Sequence, residues 1–148
     1  MKSTSYGLHL MLDGYGAPDD RLSEIATVYR FLSDLPSLIG MRRVGLPQVL
    51  EVTEEGIAGL SGFVFIMESH ISIHTYAECG FITLDVYSCR EFDVEKAVAY
   101  VCSLFGVEDV ETTVIERGLR FKQEGGLGKP PSEGSGQGEL SSRGFLDQ

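Results

Sequence analysis

The sequence has no tryptophan and little cysteine, since Cys79, Cys89 and Cys102 are the only three among its 148 residues. None of them forms a Cys-x-x-Cys pair. An odd number of cysteines without a secretion signal indicates reduced thiols rather than a disulfide framework or a zinc site. Long apolar runs are also missing, because no stretch approaches the roughly 20 residues that span a bilayer, and the first residues lack the apolar segment of a signal peptide. We therefore expect a cytoplasmic protein that does not bind a membrane.

Positive charge is scarce in this chain. The 12 lysines and arginines are outnumbered by 22 aspartates and glutamates, which gives a formal net charge of −10. A surface of this sign repels a phosphate backbone, so the composition argues against nucleic-acid binding. Apolar residues make up 43% of the chain, which is ordinary for a globular protein, and the length favours a single domain.

The end of the chain differs in composition from the rest. The segment 123–148 holds seven of the 18 glycines, the adjacent Pro130 and Pro131, and several serines. Its few apolar residues follow no period, so it cannot bury enough surface to offset the entropy of ordering. We predict a disordered tail over 123–148 and one folded domain over 1–122.

Short apolar runs separated by turn residues predict six strands in the folded domain. They lie at 6–12, 42–52, 61–67, 70–76, 81–89 and 110–115, and Pro47 marks a bend or a sheet edge in the second of them. Most of these strands follow one another as hairpins. With two helices, this order predicts an α+β fold, a two-layer sandwich in which an antiparallel β-sheet carries both helices on one face.

Two segments have helical spacing. The first begins at Asp19 or Asp20 as its cap and ends at Pro36 and Gly40, and its apolar residues Leu22, Ile25, Tyr29 and Leu32 follow helical spacing. The second is capped by Asp93 and stops at Gly106, with its inward positions at Val94, Ala97, Val98, Val101 and Phe105.

The stretch 68–89 is the most informative part of the sequence. It alternates strictly, so that one face of its first strand carries His70, Ser72, His74 and Tyr76. Four residues connect it to the next strand, a common hairpin length, and this connection pairs Tyr76 with Phe81. Continued along the strands, the same register would place Cys89 opposite Glu68, with facing Cα atoms roughly 4.5–5.5 Å apart. The Cys89 thiol is then expected beside the Glu68–Ser69 peptide.

These residues alone leave several interpretations open. A polar strand face is most often the solvated side of a sheet, and a lone cysteine is most often a small core residue. The spacing of His70 and His74 suits a metal site on a helix, not on a strand, and His9 and His70 are interpreted as structural. A hydrolase triad of Ser72, His74 and Asp85 is geometrically conceivable, but it lacks the Gly-x-Ser-x-Gly elbow.

The run Glu68-Ser69-His70-Ile71-Ser72-Ile73-His74-Thr75, with Cys89 fifteen residues after His74, resembles the bacterial and archaeal S-adenosylmethionine decarboxylases. These are small pyruvoyl-dependent enzymes of polyamine synthesis. The similarity covers about 6–121. It includes weaker matches at Gly7-Leu8-His9-Leu10, Ser61-Gly62 and Glu116-Arg117-Gly118.

The resemblance implies a proenzyme that cleaves itself between Glu68 and Ser69. The Ser69 hydroxyl attacks the Glu68 carbonyl, and elimination from the resulting ester leaves a pyruvoyl group derived from Ser69. This ketone condenses with the substrate amine as a Schiff base and takes up the electrons that decarboxylation leaves behind. The product is decarboxylated S-adenosylmethionine, the aminopropyl donor for spermidine.

The resemblance also assigns roles to other side chains. Ser61 and His74 match residues that assist processing, Cys89 matches the proton donor in decarboxylation, and Glu78 matches a carboxylate that binds the ribose hydroxyls of the substrate. No metal, nucleotide or pyridoxal cofactor is implied.

Spacing along the chain predicts that the site is shared between two chains. His74 lies five residues beyond Ser69 on one strand, roughly 16 Å away at ~3.3 Å per residue, and an odd separation puts the two on opposite faces. Ser61 lies eight residues before Ser69, roughly 26 Å away by the same rise. A twofold homodimer would bring Ser61 and His74 of one chain to Ser69 and Cys89 of the other.

The sequence departs from the family pattern at three places. Glu55 stands where the family has an aromatic residue that stacks on adenine, Tyr76-Ala77 replaces the common Trp-Pro, and Arg90 replaces the usual glycine. Loss of a base–aromatic stack costs roughly 1–3 kcal/mol, and an acidic residue at 55 could meet the cation of a basic amino acid. The alternatives are therefore a pyruvoyl-dependent decarboxylase of arginine, ornithine or another amino acid, or a non-catalytic homologue.

Overall fold

The computed structural model describes residues 5–54 and 57–121. Glu55 and the predicted tail over 123–148 lie outside the described residues. Six strands are present, namely β1 (Gly7–Tyr15), β2 (Arg43–Glu54), β3 (Ile57–Ile66), β4 (Ser69–Tyr76), β5 (Phe81–Ser88) and β6 (Asp109–Arg117). The helices are α1 (Asp19–Ser23), α2 (Ile25–Leu38) and α3 (Val94–Phe105), and a short 3-10 turn covers Ala77–Cys79.

The six strands form one sheet in the order β2-β3-β4-β5-β1-β6, with every neighbouring pair antiparallel. Alternate strand residues such as Leu10, Val64, Ile73 and Val86 are buried, and they share one core with α1, α2 and α3. The predicted α+β class is confirmed. The opposite side of the sheet, which we call the helix-free face, has no element packed on it within the described residues.

The first helix differs from its prediction because it is two helices. Glu24 adopts an extended backbone between α1 and α2. Pro18 precedes α1 and no side chain caps it, so Asp19 and Asp20 lie in the first turn, where acidic groups favour the helix dipole. The expected capping role of these aspartates is therefore wrong.

The break at Glu24 also changes which face of the second helix is buried. Ile25 is 48% exposed and Tyr29 is 40% exposed, although the helical spacing groups both with the buried Leu22 and Leu32. The buried residues of α2 are Val28, Phe31, Leu32, Leu35 and Pro36. A helix that restarts after an extended residue has a new phase, so a single pattern drawn across the break chooses wrong positions. Pro36 lies within α2, which ends two residues later.

The second predicted helix, α3, is correct in its ends and its core. The Asp93 carboxylate accepts a hydrogen bond of 3.0 Å from the backbone N–H of Lys96, and Gly106 follows the helix with a left-handed backbone. Ala97, Val101 and Phe105 are buried. The predicted bend at Pro47 is also present, because the β2–β3 pairing shifts register between Val44 and Gln48 in an edge strand.

Candidate active site

The β4–β5 hairpin has the register that the sequence predicts. Tyr76 pairs with Phe81, and His74 pairs with Thr83. The paired residues end at His70 and Tyr87, so the ladder stops short of Glu68 and Cys89. Cys89 nevertheless lies at this end of the hairpin, since its Sγ contacts the backbone carbonyl oxygen of Met67 at 3.4 Å. The thiol is thus next to the turn that joins β3 to β4.

The turn between β3 and β4 holds the Glu68–Ser69 peptide in an unusual conformation. Glu68 has a φ of 65° and is the only non-glycine residue with positive φ in the described ranges. A left-handed backbone costs a residue with a Cβ about 1–2 kcal/mol. The Ser69 hydroxyl donates a hydrogen bond of 2.6 Å to the Glu68 carbonyl oxygen, and Ser69 is only 8% exposed. A nucleophilic oxygen therefore lies against the carbonyl of a strained residue.

Electrostatics around Cys89 favour the neutral thiol. Burial raises the pKa of Cys89 above its ordinary value, the charge of Glu68 raises it further, and the Arg90 cation lowers it. A backbone hydrogen bond at Cys89 also lowers the pKa, but the raising effects outweigh both lowering ones, so the thiol holds its proton at neutral pH. A half-buried thiol that keeps its proton can act as a general acid.

A second group of polar residues lies on the helix-free face. Ser61 of β3 pairs directly with His74 of β4, and a hydrogen bond of 2.8 Å joins the Ser61 Oγ to the His74 Nδ1. The imidazole is exposed while Ser69, on the same strand, is buried. The two groups therefore lie on opposite faces of the sheet, as the odd spacing predicts.

The distance predicted for Ser61 needs correction. The chain reverses between Ile66 and Ser69, which face one another across β3 and β4. Ser61 therefore lies beside His74, and its separation from Ser69 is about five strand residues, roughly 16 Å rather than 26 Å. This is still too far for a hydrogen bond, so neither Ser61 nor His74 reaches the Ser69 of its own chain.

Glu78 lies in the 3-10 turn after β4 and is exposed. It lines a pocket of about 230 Å³ whose wall includes two more carboxylates, Asp19 and Glu51, and apolar residues of β3. Gly59 also lines this pocket, and a Cβ at that position would collide with the carbonyl oxygen of Thr75. Only glycine allows β3 and β4 to approach each other so closely at this end.

Comparison with known proteins identifies the chain. The family model for S-adenosylmethionine decarboxylase matches residues 8–118. The chain belongs to this family. It is 32% identical over 116 residues to the S-adenosylmethionine decarboxylase proenzyme of Geobacillus kaustophilus, a match that covers 77% of this chain and 89% of the relative. The proenzyme of Pyrococcus abyssi is 45% identical over 67 residues, covering 45% of this chain and 48% of the relative.

The fold agrees with that of a solved family member. The crystal structure of the adenosylmethionine decarboxylase from Aquifex aeolicus superimposes with a TM-score of 0.66 at 27% sequence identity, covering 78% of this chain and 92% of that one. The described helices include none that is long and apolar enough to cross a membrane. Nor do the described residues include a group of three or more His, Cys, Asp and Glu side chains that could hold a metal ion.

The hydrolase triad considered above is not formed in this family member. Asp85 pairs with His9 at 2.8 Å, whereas His74 is bonded to Ser61. Ser72 lies opposite Asp85 across the hairpin, but the imidazole that a triad needs between them is engaged elsewhere. His9, interpreted as structural, thus has a specific partner across β1 and β5.

Sequence reasoning missed an aromatic cluster around Tyr87, which lies two residues before Cys89. The rings of Tyr6 and Tyr87 lie 6.5 Å apart, and Phe121 packs edge-on against Tyr6 at 4.9 Å. The Arg117 guanidinium lies over the Tyr87 ring at 4.3 Å. The sequence offered one signal for this cluster, the motif Glu116-Arg117-Gly118. The motif could not be placed beside β1, because that requires the pairing of β1 with the distant strand β6.

Proposed function

We propose that this chain is a proenzyme that cleaves its own Glu68–Ser69 bond and then decarboxylates S-adenosylmethionine. The observation that carries the proposal is the 2.6 Å contact between the Ser69 Oγ and the Glu68 carbonyl oxygen, at a residue whose φ is 65°. The names of the relatives support the same activity. We further propose that the product serves as the aminopropyl donor for spermidine, as the resemblance implies, and that the enzyme works in the cytoplasm.

Cleavage requires only groups of the chain itself and water. The Ser69 Oγ forms a bond to the Glu68 carbonyl carbon as the C–N bond breaks, so the amide becomes an ester. Removal of the Ser69 Cα proton then expels the Glu68 carboxylate from Cβ, and water replaces the remaining nitrogen, which leaves as ammonia. Breaking the bond releases the left-handed strain at Glu68, so the strain favours cleavage.

The surroundings of Ser69 fit a pyruvoyl group at the new chain start. The residue is buried at the first position of β4, and the protonated Cys89 thiol lies at the same end of the sheet. When present, the pyruvoyl ketone supplies the electron sink that α-decarboxylation needs. Cys89 would donate its proton to the substrate Cα, and the raised pKa of the half-buried thiol keeps that proton in place at neutral pH.

We propose that a second copy of the chain covers the helix-free face. Large apolar side chains lie there around the Ser61–His74 pair, with Leu50 65% exposed and Phe65 57% exposed. A monomer seldom leaves such a patch uncovered. In a twofold dimer each chain offers the same patch to its partner, so that Ser61 and His74 of one chain can approach the Glu68–Ser69 bond of the other.

The dimer is tested by placing a charge on this face. Phe65→Glu should convert the protein to a monomer in sedimentation analysis and should stop self-cleavage. Ile25→Glu is the matched control, because Ile25 is also exposed but belongs to α2 on the other side of the sheet. A Phe65→Glu monomer that still cleaves itself at the normal rate would contradict the shared site.

The acidic pocket beside Glu78 supports a cationic substrate. S-adenosylmethionine carries a sulfonium charge, and the carboxylates of Asp19, Glu51 and Glu78 favour such a group electrostatically. Glu55 favours the second candidate, a pyruvoyl-dependent decarboxylase of arginine or ornithine, because the stacking aromatic of the family is missing there.

Two measurements test the proposed function. Intact-mass analysis of the purified protein should give two fragments, one ending at Glu68, and Ser69→Ala should give one uncut chain with no turnover. A wild-type chain that stays uncut on prolonged incubation would instead indicate a non-catalytic homologue. Release of carbon dioxide from S-adenosylmethionine, arginine and ornithine in parallel then distinguishes the two candidate substrates.

A further inference from the structure

The start of β1 packs directly on the backbone of Cys89. A Cβ built on Gly7 would collide with the carbonyl oxygen of Ser88 and would lie 3.2 Å from the Cys89 Cα. Only glycine permits this approach. Because Gly7 is fixed against Cys89, the preceding residue, Tyr6, is held at the same end of the sheet as the thiol.

The segment that follows β6 holds Tyr6 in place. Its backbone N–H donates a hydrogen bond of 3.3 Å to the Gly118 carbonyl oxygen. Gly118 has a φ of 66°, and a Cβ at this position would collide with the Cβ of Tyr6. Phe121 and Tyr87 flank the Tyr6 ring. The motif Glu116-Arg117-Gly118 thus has a physical role, which is to leave room for Tyr6 and to hold Arg117 over Tyr87.

Electrostatics agree with this placement. Burial raises the pKa of Tyr6, and the charges of Cys89 and Glu68 raise it further. A phenol can feel these two groups only if it lies near them. Burial is also the first cause of the raised pKa of Cys89. Cys89 is half-buried, so the volume of a neighbouring ring can change its exposure to water, with or without the hydroxyl of that ring.

We infer that Tyr6 is a positioning residue for Cys89: its ring, held by Gly118 and Phe121 at the end of the sheet where Gly7 meets Cys89, limits the access of water to the half-buried thiol. The thiol thereby stays protonated until a substrate carbon needs the proton. The catalytic use of this proton rests on the proposed function. The shielding itself does not, because it concerns the reactivity of a cysteine in the folded chain.

The shielding is measured by the rate of Cys89 alkylation with iodoacetamide as a function of pH, followed by peptide mass mapping of the full chain. Tyr6→Ala should lower the midpoint pH of Cys89 and raise its alkylation rate at neutral pH severalfold, because the thiolate is the reactive form. Tyr6→Phe, which keeps the ring, should leave the midpoint pH of Cys89 unchanged and its alkylation rate within about twofold of the wild type. Exposed Cys79 is the internal control and should react alike in all variants.

Two further arms keep the test decisive. If Tyr6→Ala also makes Cys102 of α3 more reactive, the variant has lost its fold. Phe121→Ala then replaces it as the test. This variant removes the support of the Tyr6 ring and should lower the midpoint pH of Cys89 alkylation in the same way. The pH profiles of Cys89 alkylation are also measured in a Ser69→Ala background, where the chain stays uncut. A shift that persists there does not depend on self-cleavage. An unchanged Cys89 midpoint in a folded Tyr6→Ala protein, or an equal shift in Tyr6→Phe, would overturn the inference.

Turnover provides a second readout. In the cleaved enzyme, Tyr6→Ala should move the alkaline limb of kcat to lower pH, because a less shielded thiol loses its proton at a lower pH. KM should change little, and Tyr6→Phe should restore the profile. A change in KM alone, with an unmoved limb, would assign Tyr6 to substrate binding and would contradict its proposed action on Cys89.

Discussion

The left-handed backbone of Glu68 should set the rate of self-cleavage, and replacing this residue with glycine tests the idea. Glycine adopts positive φ without steric cost, so Glu68→Gly removes about 1–2 kcal/mol of strain from the uncut chain. If that strain is released as the peptide bond breaks, the barrier rises by the same amount. Cleavage should then slow by roughly 5- to 30-fold, because about 1.4 kcal/mol is tenfold in rate.

The matched control is Glu68→Gln, which removes the charge but keeps a Cβ and hence the strain. It should cleave at nearly the wild-type rate. The assay follows newly synthesised proenzyme by intact mass over time and fits the loss of the uncut chain. Equal rates for Glu68→Gly and Glu68→Gln, or faster cleavage of the glycine variant, would refute the argument that strain drives the reaction.

The same substitution has a stability signature in the uncut Ser69→Ala background. Relief of strain should raise the free energy of unfolding of Glu68→Gly relative to Glu68→Gln. The flexibility of glycine in the unfolded chain offsets roughly 0.5–1 kcal/mol of that gain of about 1–2 kcal/mol, so the net gain should be about 0–1.5 kcal/mol. Denaturant unfolding of both variants measures it, and a less stable glycine variant would show that φ at this turn is not strained.

The remaining predictions concern the proton donor, the shared site and the substrate pocket. Cys89→Ala should still cleave itself but should lose about 10²–10⁴-fold in kcat for lack of a general acid; an unchanged kcat would remove Cys89 from catalysis. The pKa of this thiol is raised, so turnover is retained at neutral pH and lost as pH rises through the folded pKa. Because the Arg90 cation lowers that pKa, Arg90→Gln should move the alkaline limb of kcat to higher pH. A move to lower pH would contradict this effect of Arg90. Neither the Ser69→Ala chain nor the His74→Ala chain should cleave when it is expressed alone. If each site takes residues from both chains, co-expression of the two should give some cleaved product, and no product on co-expression would contradict the shared site. Glu78→Gln should raise KM about tenfold with a smaller change in kcat, since a charge-assisted hydrogen bond contributes about 1.5–3 kcal/mol; an unaltered KM would separate this pocket from the substrate.

The hairpin of β4 and β5 could be derived from the sequence because its information is local. Strict alternation fixes which side chains share a face, and a four-residue connection fixes the register, so the pairing of His74 with Thr83 follows directly. The reversal between β3 and β4 carried no such signal. Met67 and Glu68 are not turn-forming residues, so the closeness of Ser61 to His74 was not visible.

Other features could not be predicted because they depend on distant contacts. The break at Glu24 has no glycine or proline to mark it, and the exposed positions of α2 follow from how that helix meets the sheet. The cluster of Tyr6, Tyr87 and Arg117 requires β1 to lie between β5 and β6. A single sequence gives periodicity along a strand, but it does not give the order of strands across a sheet.

That strand order has a consequence for the mature protein. The proposed cut after Glu68 would assign β1, β2 and β3 to one fragment and β4, β5 and β6 to the other. In the sheet β2-β3-β4-β5-β1-β6, β1 is clamped between two strands of the opposite fragment. The two fragments are therefore joined by three strand pairings, β3–β4, β1–β5 and β1–β6. Neither fragment can dissociate without breaking the hydrogen bonds of all three. Once heat or denaturant separates them, two unlinked polypeptides must find each other again, so we expect the matured enzyme to unfold irreversibly where its uncut precursor refolds.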